Sequence, residues 1–261
     1  MQELLNRMHG WMAAYMKSFY SDDAEVQQGI LIKEKHTGYV TANCVELAKF
    51  LKLSQHDSEL AEIIGLFHDV GRFRQYSIYK TFNDADSEDH ADLALKVIDE
   101  LEFFNELSSQ DYDVLKFAIQ NHNKKVIAPC DDERKILFAK IIRDADKLDI
   151  YRVLEPFLAQ ADVDKMPNFI KSTSRLVAEI SPDFVENFVT GEQADYRKIR
   201  TNGDRKIVRL MWIYDVNFSW TMKKIVERGY IEKIVSNLPM DECIAEGVRR
   251  LKLHVEEKLK T

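Results

Sequence analysis

A His-Asp pair at the end of an apolar segment constrains the fold and chemistry open to this chain more than any other feature of its sequence. The segment is residues 64–67, Ile-Gly-Leu-Phe, and His68 and Asp69 follow it directly. An ionised carboxylate buried beside an imidazole is costly unless it is paired, and a bound divalent cation removes that cost. Imidazole and carboxylate together suit zinc, iron or manganese. The pair is therefore a candidate metal site, and the case for it depends on the residues around it. Gly71 allows a tight backbone turn beside the pair.

The apolar residues predict an all-α fold. They recur at i+3 and i+4 along most of the chain, no useful period-2 strand pattern occurs, and only 9 Gly and 5 Pro are present in 261 residues. Residues 72–86 lack a clear period, and we expect a loop there. The predicted helices cover about 3–20, 36–52, 57–69, 88–106, 109–122, 131–158, 165–178, 181–190, 204–228 and 239–259.

Residues 1–261 are expected to form a single all-helical unit. Within it, residues 24–160 form a helical core that contains the candidate metal ligands. Residues 161–261 form a C-terminal helical extension that packs on the core and shapes the substrate pocket. The N-terminal amphipathic segment, rich in Met and aromatic residues, suits either the core or a homodimer interface.

Charge and cysteine content exclude several classes of protein. The net charge of −7 argues against a general nucleic-acid-binding surface. Three widely spaced cysteines form no disulfide framework or cysteine-based zinc site, and they suit a reducing cytoplasm. The N-terminus has neither the pattern of a signal peptide nor that of a membrane span. We therefore expect a cytoplasmic protein that binds no membrane.

Four further metal-ligand types lie on or near the apolar faces of separate predicted helices. A single buried histidine is more often a hydrogen-bonded core residue than a ligand, so each of them is weak evidence alone. Helices packed antiparallel bring such side chains together, as in other helical bundles with metal sites. These four candidates are His36, His90, His122 and Asp146.

The order and spacing of these residues resemble the HD-domain superfamily of metal-dependent phosphohydrolases, in its branch with a dinuclear metal centre. The resemblance covers about residues 36–151. The matching pieces are His36-Thr37, Leu66-Phe67-His68-Asp69-Val70-Gly71, Asp89-His90-Ala91, Asn121-His122-Asn123 and Asp144-Ala145-Asp146-Lys147-Leu148-Asp149.

The resemblance implies one or two divalent ions, of Fe, Mn, Zn, Ni or Mg. One ion would take His36, His68, Asp69 and Asp146, and a second would take Asp69, His90 and His122. Some members of the family keep only the first of these sets. Asp146 fits the family's Ala-Asp-basic-Leu pattern better than Asp144 does. Asp144 and Asp149 would then orient ligands or water.

The implied reaction is hydrolysis of a phosphomonoester or phosphodiester bond in a nucleotide or other small phosphorylated molecule by a metal-activated water. The resemblance gives Asp69, Asp146 and Lys147 catalytic roles. Basic residues near the proposed ligands suit phosphate binding, namely Arg72, Lys124 and Lys147. Arg72 has a plainer alternative as the ion-pair partner of the acidic loop 84–89.

Two other classes of function fit the same residues. Di-iron oxygenases share this fold and the six-ligand set, so fold and ligands do not separate them from hydrolases. A ligand-sensing HD module without catalysis is the second alternative, although a complete ligand set weighs against it. The basic residues near the ligands favour phosphoester hydrolysis.

Overall fold

The computed structural model describes residues 1–158, 179–192, 194–195 and 198–260. These residues form helices and connecting loops without a β-strand, which confirms the all-α class. The predicted helix at 165–178 lies outside the described residues. None of the helices that the structure describes combines the length and apolar character that crossing a membrane requires.

The chain folds as two compact units, Met1–Ile150 and Tyr151–Thr261. All six predicted metal ligands belong to the first unit. The role of the C-terminal part in shaping a substrate pocket stays a prediction.

The first unit is built from helices whose ends carry recognisable capping residues. Asp23, Ser54, Asp89 and Ser108 each accept hydrogen bonds from backbone N–H groups in the first turn that follows them. The helices are α1 Gln2–Lys17, α2 Ala24–Phe50, α3 Gln55–Phe67, α4 Val70–Tyr79, α5 His90–Asp99, α6 Ser109–Asn121 and α7 Glu133–Leu158, the last of which continues into the second unit.

Helix α4 corrects the prediction of a loop at residues 72–86. Its buried face includes Val70, Phe73 and Tyr76 at i+3 spacing, but also the fully buried Gln75. The Gln75 amide donates to Asp84 Oδ1, to Ser87 Oγ and to the backbone oxygen of Glu88. Gln75 can be buried because its hydrogen-bond partners lie in the following loop. A polar residue on the buried face interrupts the apolar spacing by which a helix is recognised in the sequence.

Close helix packing brings the ligand-bearing segments together. A Cβ added at Gly71 would lie 2.5 Å from the backbone nitrogen of Ala94 and 2.6 Å from the backbone oxygen of His90, so α4 and α5 touch through their backbones. At the end of α3, Trp11 of α1 stacks on Phe67, with ring centroids 5.9 Å apart. These contacts fix the junction between α3 and α4, where His68 and Asp69 lie.

The second unit contains five described helices. The single helix predicted for 204–228 is wrong, because a 3-10 turn at Trp212–Asp215 and extended backbone at Phe218 interrupt it. The buried carboxylate of Asp204 accepts hydrogen bonds from the backbone nitrogens of Ser181, Arg200 and Thr201. The helices are α8 Pro182–Thr190, α9 Asn202–Met211, α10 Ser219–Glu227, α11 Tyr230–Val235 and α12 Glu242–Leu259.

Candidate metal centre

Six predicted ligands from separate helices converge in the first unit. His36 lies on α2, and Asp146 lies on α7 with a side chain that is 15% exposed. The other four lie at helix ends, where the backbone changes direction. His68 follows the last residue of α3, Asp69 precedes α4, His90 is the first residue of α5, and His122 follows α6. All of these side chains except that of Asp146 are buried.

Asp69 lies between two pairs of histidines and turns a different oxygen to each pair. Its Oδ2 atom lies 3.5 Å from Nε2 of His36 and 3.6 Å from Nε2 of His68. Its Oδ1 atom lies 3.5 Å from Nε2 of His90 and 3.8 Å from Nε2 of His122. Both groups of three can hold a metal ion. One carboxylate is therefore positioned to serve two adjacent ions.

Asp146 lies on the side of His36 and His68. Its Oδ1 atom is 3.1 Å from Nε2 of His36 and 3.9 Å from Nε2 of His68. Two ligand atoms about 2.1 Å from one tetrahedral ion lie about 3.4 Å apart. The distances among these groups therefore fit a common cation, and the choice of Asp146 as a ligand agrees with the geometry.

The nitrogens of His36 and His68 that face the site have no hydrogen-bond partner among the described residues. Both Nε2 atoms are buried. The other nitrogen of each ring is held, since Nδ1 of His36 lies 2.6 Å from Asp149 Oδ2 and Nδ1 of His68 lies 2.8 Å from the backbone oxygen of Gly65. Acceptors at Nδ1 place the proton there and leave the Nε2 lone pair for a metal. The site thus fits the cation that its residue types predict.

The second pair of histidines leads to the same conclusion. Nδ1 of His90 lies 2.6 Å from Asp84 Oδ2, and Nδ1 of His122 lies 2.6 Å from the backbone oxygen of Ile119. Both acceptors favour a proton on Nδ1, so both Nε2 atoms present lone pairs, yet they lie only 2.9 Å apart. Two lone pairs at this distance repel each other, and a positive charge beside them lowers the repulsion. The Arg72 guanidinium, with Nη2 3.3 Å from Nε2 of His90, already supplies part of that charge, and a bound cation would supply the rest.

The pKa shifts favour the ligand forms of most of these side chains. Burial lowers the pKa of His68 to about 4 and, together with the charge of Arg72, that of His90 to about 3. Burial by itself raises the pKa of Asp69, but the nearby charges of Lys33 and His68 hold it well below its usual range. At neutral pH these histidines are neutral and the carboxylate is ionised, as metal binding requires.

His36 shows the opposite shift. Burial has the largest effect on its pKa and lowers it, and the charge of Lys33 acts in the same direction. The carboxylates of Asp146 and Asp149 outweigh both effects and leave the pKa of His36 raised. Burial also raises the pKa of Asp146, but His36 and the other histidines hold it below its ordinary value. A proton therefore competes with a cation more strongly at His36 than at His68.

The predicted phosphate-binding residues differ in their distance from the candidate ligands and in their ion-pair partners. Arg72 lies at the centre, with Nε 3.5 Å from Asp69 Oδ1 and Nη1 2.8 Å from Asp84 Oδ1. Arg72 therefore forms the predicted ion pair with the acidic loop, and its role in phosphate binding stays a prediction. Lys124 pairs with Asp89, with 2.5 Å between Nζ and Oδ2.

The remaining residues predicted from the resemblance lie on α7. Asp149 lies 2.6 Å from Nδ1 of His36 through its Oδ2 atom, the position from which an orienting residue would act. Lys147 is 9% exposed and Asp144 is fully buried. Their roles in substrate binding and in orienting ligands or water stay predictions.

Two charged residues of the site were not predicted from the sequence. The acidic loop that contains Asp84 is expected only to pair with arginine, but Asp84 also holds Nδ1 of His90. Lys33 donates to Asp69 Oδ2 at 2.6 Å. Its position three residues before His36 on α2, which places it on the same helix face, is the one signal that points to it.

A scan against protein-family models matched residues 34–151 to the HD domain. Searches of curated proteins and of solved structures returned no significant match. The matched range includes all six converging side chains, and its helical fold agrees with the first unit. Residues 34–151, somewhat less than half of the chain, therefore match the HD domain, as the order and spacing of the ligand types predict.

Proposed function

We propose that the chain is a phosphohydrolase with two divalent cations, acting on a phosphomonoester or phosphodiester bond of a nucleotide or other small phosphorylated molecule. The observation that carries the proposal is the position of Asp69, whose two oxygens face two separate histidine pairs. Asp146 completes the first set of ligands. His90 and His122 complete the second.

The charge of such a site suits a phosphate group. Two divalent ions bring four positive charges, and Asp69 with Asp146 brings two negative ones, which leaves a net charge of about +2. When bound, the ions supply Lewis-acid chemistry, which withdraws electrons from the phosphate and lowers the pKa of water towards about 7.

The protein's own side chains hold the ligands and attract the substrate. Asp149 and Asp84 fix the rings of His36 and His90 through their Nδ1 atoms. Arg72 lies beside Asp69 with its guanidinium held in place, and its positive charge attracts an anionic substrate. Lys124 and Lys147 supply further phosphate contacts in this proposal.

A di-iron oxygenase would use the same six ligands. The basic groups beside Asp69 favour the hydrolase, because each of its two oxygens has one such group nearby: Lys33 at Oδ2 and Arg72 at Oδ1. Positive groups of this kind suit an anionic substrate, whereas uncharged dioxygen gains little from them. A sensing module without catalysis has no need of two complete ligand sets.

The proposal is tested by turnover without dioxygen. The purified protein is first analysed for metal content, then stripped, loaded with Mn²⁺ and incubated anaerobically with a panel of nucleotides and other small phosphoesters. A hydrolase needs only a Lewis acid, so we expect phosphate release in the absence of oxygen. The iron form, assayed in air with the same compounds and with polyols, serves as the comparison. Oxygen uptake that depends on substrate, with no phosphate released from any ester, would favour the oxygenase instead.

A further inference from the structure

The ammonium group of Lys33 occupies one oxygen of the carboxylate that both ions would share. Lys33 lies on α2, one turn before His36, and its Nζ donates to Asp69 Oδ2 at 2.6 Å. The two side chains are 16% and 3% exposed. The same ammonium lies over the Phe82 ring, 5.5 Å from its centroid. The contact is therefore largely shielded from water.

The oxygen that Lys33 holds is the one that faces the first metal set. Asp69 Oδ2 lies 3.5 Å from Nε2 of His36 and 3.6 Å from Nε2 of His68. A divalent cation bound there would lie next to the ammonium. Like charges repel strongly at such distances where water is excluded. Lys33 and a cation therefore compete for the same oxygen.

Arg72 and Lys33 differ in how firmly they are held. Arg72 Nη1 donates to Gln75 Oε1, to Asp84 Oδ1 and to the backbone oxygen of Phe82, which fixes its guanidinium. In the part of the chain that the structure describes, the hydrogen bond of Lys33 goes to Asp69 alone. A flexible four-carbon side chain with a single hydrogen-bond acceptor is able to move. Of the two cationic groups beside Asp69, Lys33 is the one free to change partners.

We propose that Lys33 exchanges one anion for another during the working cycle. In the metal-free protein its ammonium neutralises Asp69. With a divalent cation held by the first ligand set, the ammonium would pair instead with the phosphate group of the bound substrate. This inference rests on the proposed function, since it takes a phosphate group as the second partner. It assigns Lys33 two opposite effects, because the side chain weakens metal binding and strengthens phosphate binding.

Lys33→Met tests both effects without an activity assay. The matched control is Lys35→Met, because Lys35 lies on the same helix two residues further on and is exposed. Lys33→Arg keeps the charge, and Lys33→Gln replaces Lys33→Met if the latter does not fold. Mn²⁺ affinity is measured from the electron paramagnetic resonance signal of the free ion. Binding of inorganic phosphate to the Mn²⁺-loaded protein is measured by calorimetry.

We expect Lys33→Met to bind the first Mn²⁺ about tenfold more tightly than the wild type and to bind phosphate about tenfold more weakly. Lys33→Arg should keep most of the phosphate affinity, and Lys35→Met should match the wild type in both measurements. Unchanged or weaker Mn²⁺ binding by Lys33→Met would overturn the competition, and unchanged phosphate binding would overturn the exchange. In either case a wild type that binds Mn²⁺ and phosphate leaves the proposed function standing. A wild type that binds no divalent cation would overturn both.

Discussion

Asp149 Oδ2 lies 2.6 Å from Nδ1 of His36 and so turns the other nitrogen of that ring towards Asp69 and Asp146. The two residues are 113 positions apart in the sequence, on α2 and α7. Hydrogen bonds of this kind fix both the tautomer and the orientation of a metal-binding histidine.

Asp149→Asn is expected to lower the affinity of the first metal site by about 10- to 100-fold, which is the usual cost of losing such an orienting group. The amide keeps the size of the side chain but is a weaker acceptor for the Nδ1 proton. Competition with a chelator of known affinity measures the change. Asp113→Asn, at an exposed position on α6, is the control and should leave the affinity unchanged. Equal affinities in the two variants would show that Asp149 does not orient His36.

Asp69→Ala and His90→Ala should differ in the number of ions that they lose. Asp69 faces both histidine pairs, so its removal should empty both sites, whereas His90 contacts only the second. Elemental analysis of proteins loaded under the same conditions gives the stoichiometry. Full metal occupancy in Asp69→Ala would contradict the assignment of Asp69 to both ions.

Lys147→Ala should reduce phosphoester hydrolysis by weakening phosphate binding while the metal content stays intact. Lys147 follows Asp146 on α7 and is largely buried. Steady-state kinetics on the Mn²⁺-loaded protein should show the loss in kcat/KM, and elemental analysis should match the wild type. A variant that loses its metal as well would show that Lys147 supports the ligands rather than the substrate.

Gly71→Ala should destabilise the first unit. The new Cβ would lie 2.5 Å from the nitrogen of Ala94 and 2.6 Å from the oxygen of His90, and backbone atoms have little room to shift. Overpacking of this kind costs about 1–3 kcal/mol of unfolding free energy, or more. Urea unfolding measures the loss, and displacement of His90 should also weaken the second metal site.

Gly38→Ala is the matched control for that experiment. A Cβ at this exposed position on α2 meets no atom within 4 Å. Alanine there should leave stability unchanged or raise it by up to about 1 kcal/mol, because it is the better helix former. Destabilisation by Gly38→Ala equal to that by Gly71→Ala would rule out the close contact between α4 and α5 as the cause.

Asp204 should make the stability of the second unit depend on pH. Burial raises its pKa, but the donors around it outweigh burial and hold the pKa below its ordinary value. A carboxyl group whose pKa is lowered by folding stabilises the protein above its unfolded pKa of about 3.9, and the contribution is lost as the pH falls through the folded value. Stability should therefore fall with acidification below about pH 4.

Asp204→Asn isolates that contribution. In the wild type the carboxylate accepts hydrogen bonds from the backbone nitrogens of Ser181, Arg200 and Thr201. The asparagine amide has only one oxygen, so its NH2 group faces some of these donors and cannot accept from them. We expect a loss of about 1–3 kcal/mol at pH 7 and a flatter dependence of stability on acid pH. Denaturant unfolding between pH 7 and pH 3 measures both. An unaltered pH dependence in this variant would assign the acid sensitivity to other carboxyl groups.

The helical class and the buried position of His36 could be predicted because both depend on local spacing. The i+3 and i+4 pattern put His36 on the buried face of a helix, and it is 2% exposed in the folded protein. The same reasoning failed at α4, where Gln75 lies on the buried face. Its amide is satisfied by groups 9 to 13 residues further along, and a pattern read over one or two turns does not include them.

The sequence by itself determined which side chains are available as ligands, but only the tertiary structure decided how they meet. The family resemblance implied that Asp69 serves both ligand sets. The sequence did not indicate which oxygen faces which histidine pair, or that Lys33, 36 residues earlier, holds Oδ2. Helical periodicity assigns a residue to a face of its own helix. The partner that it meets across the core depends on how helices pack, and that is fixed by contacts such as the one between Gly71 and the α5 backbone.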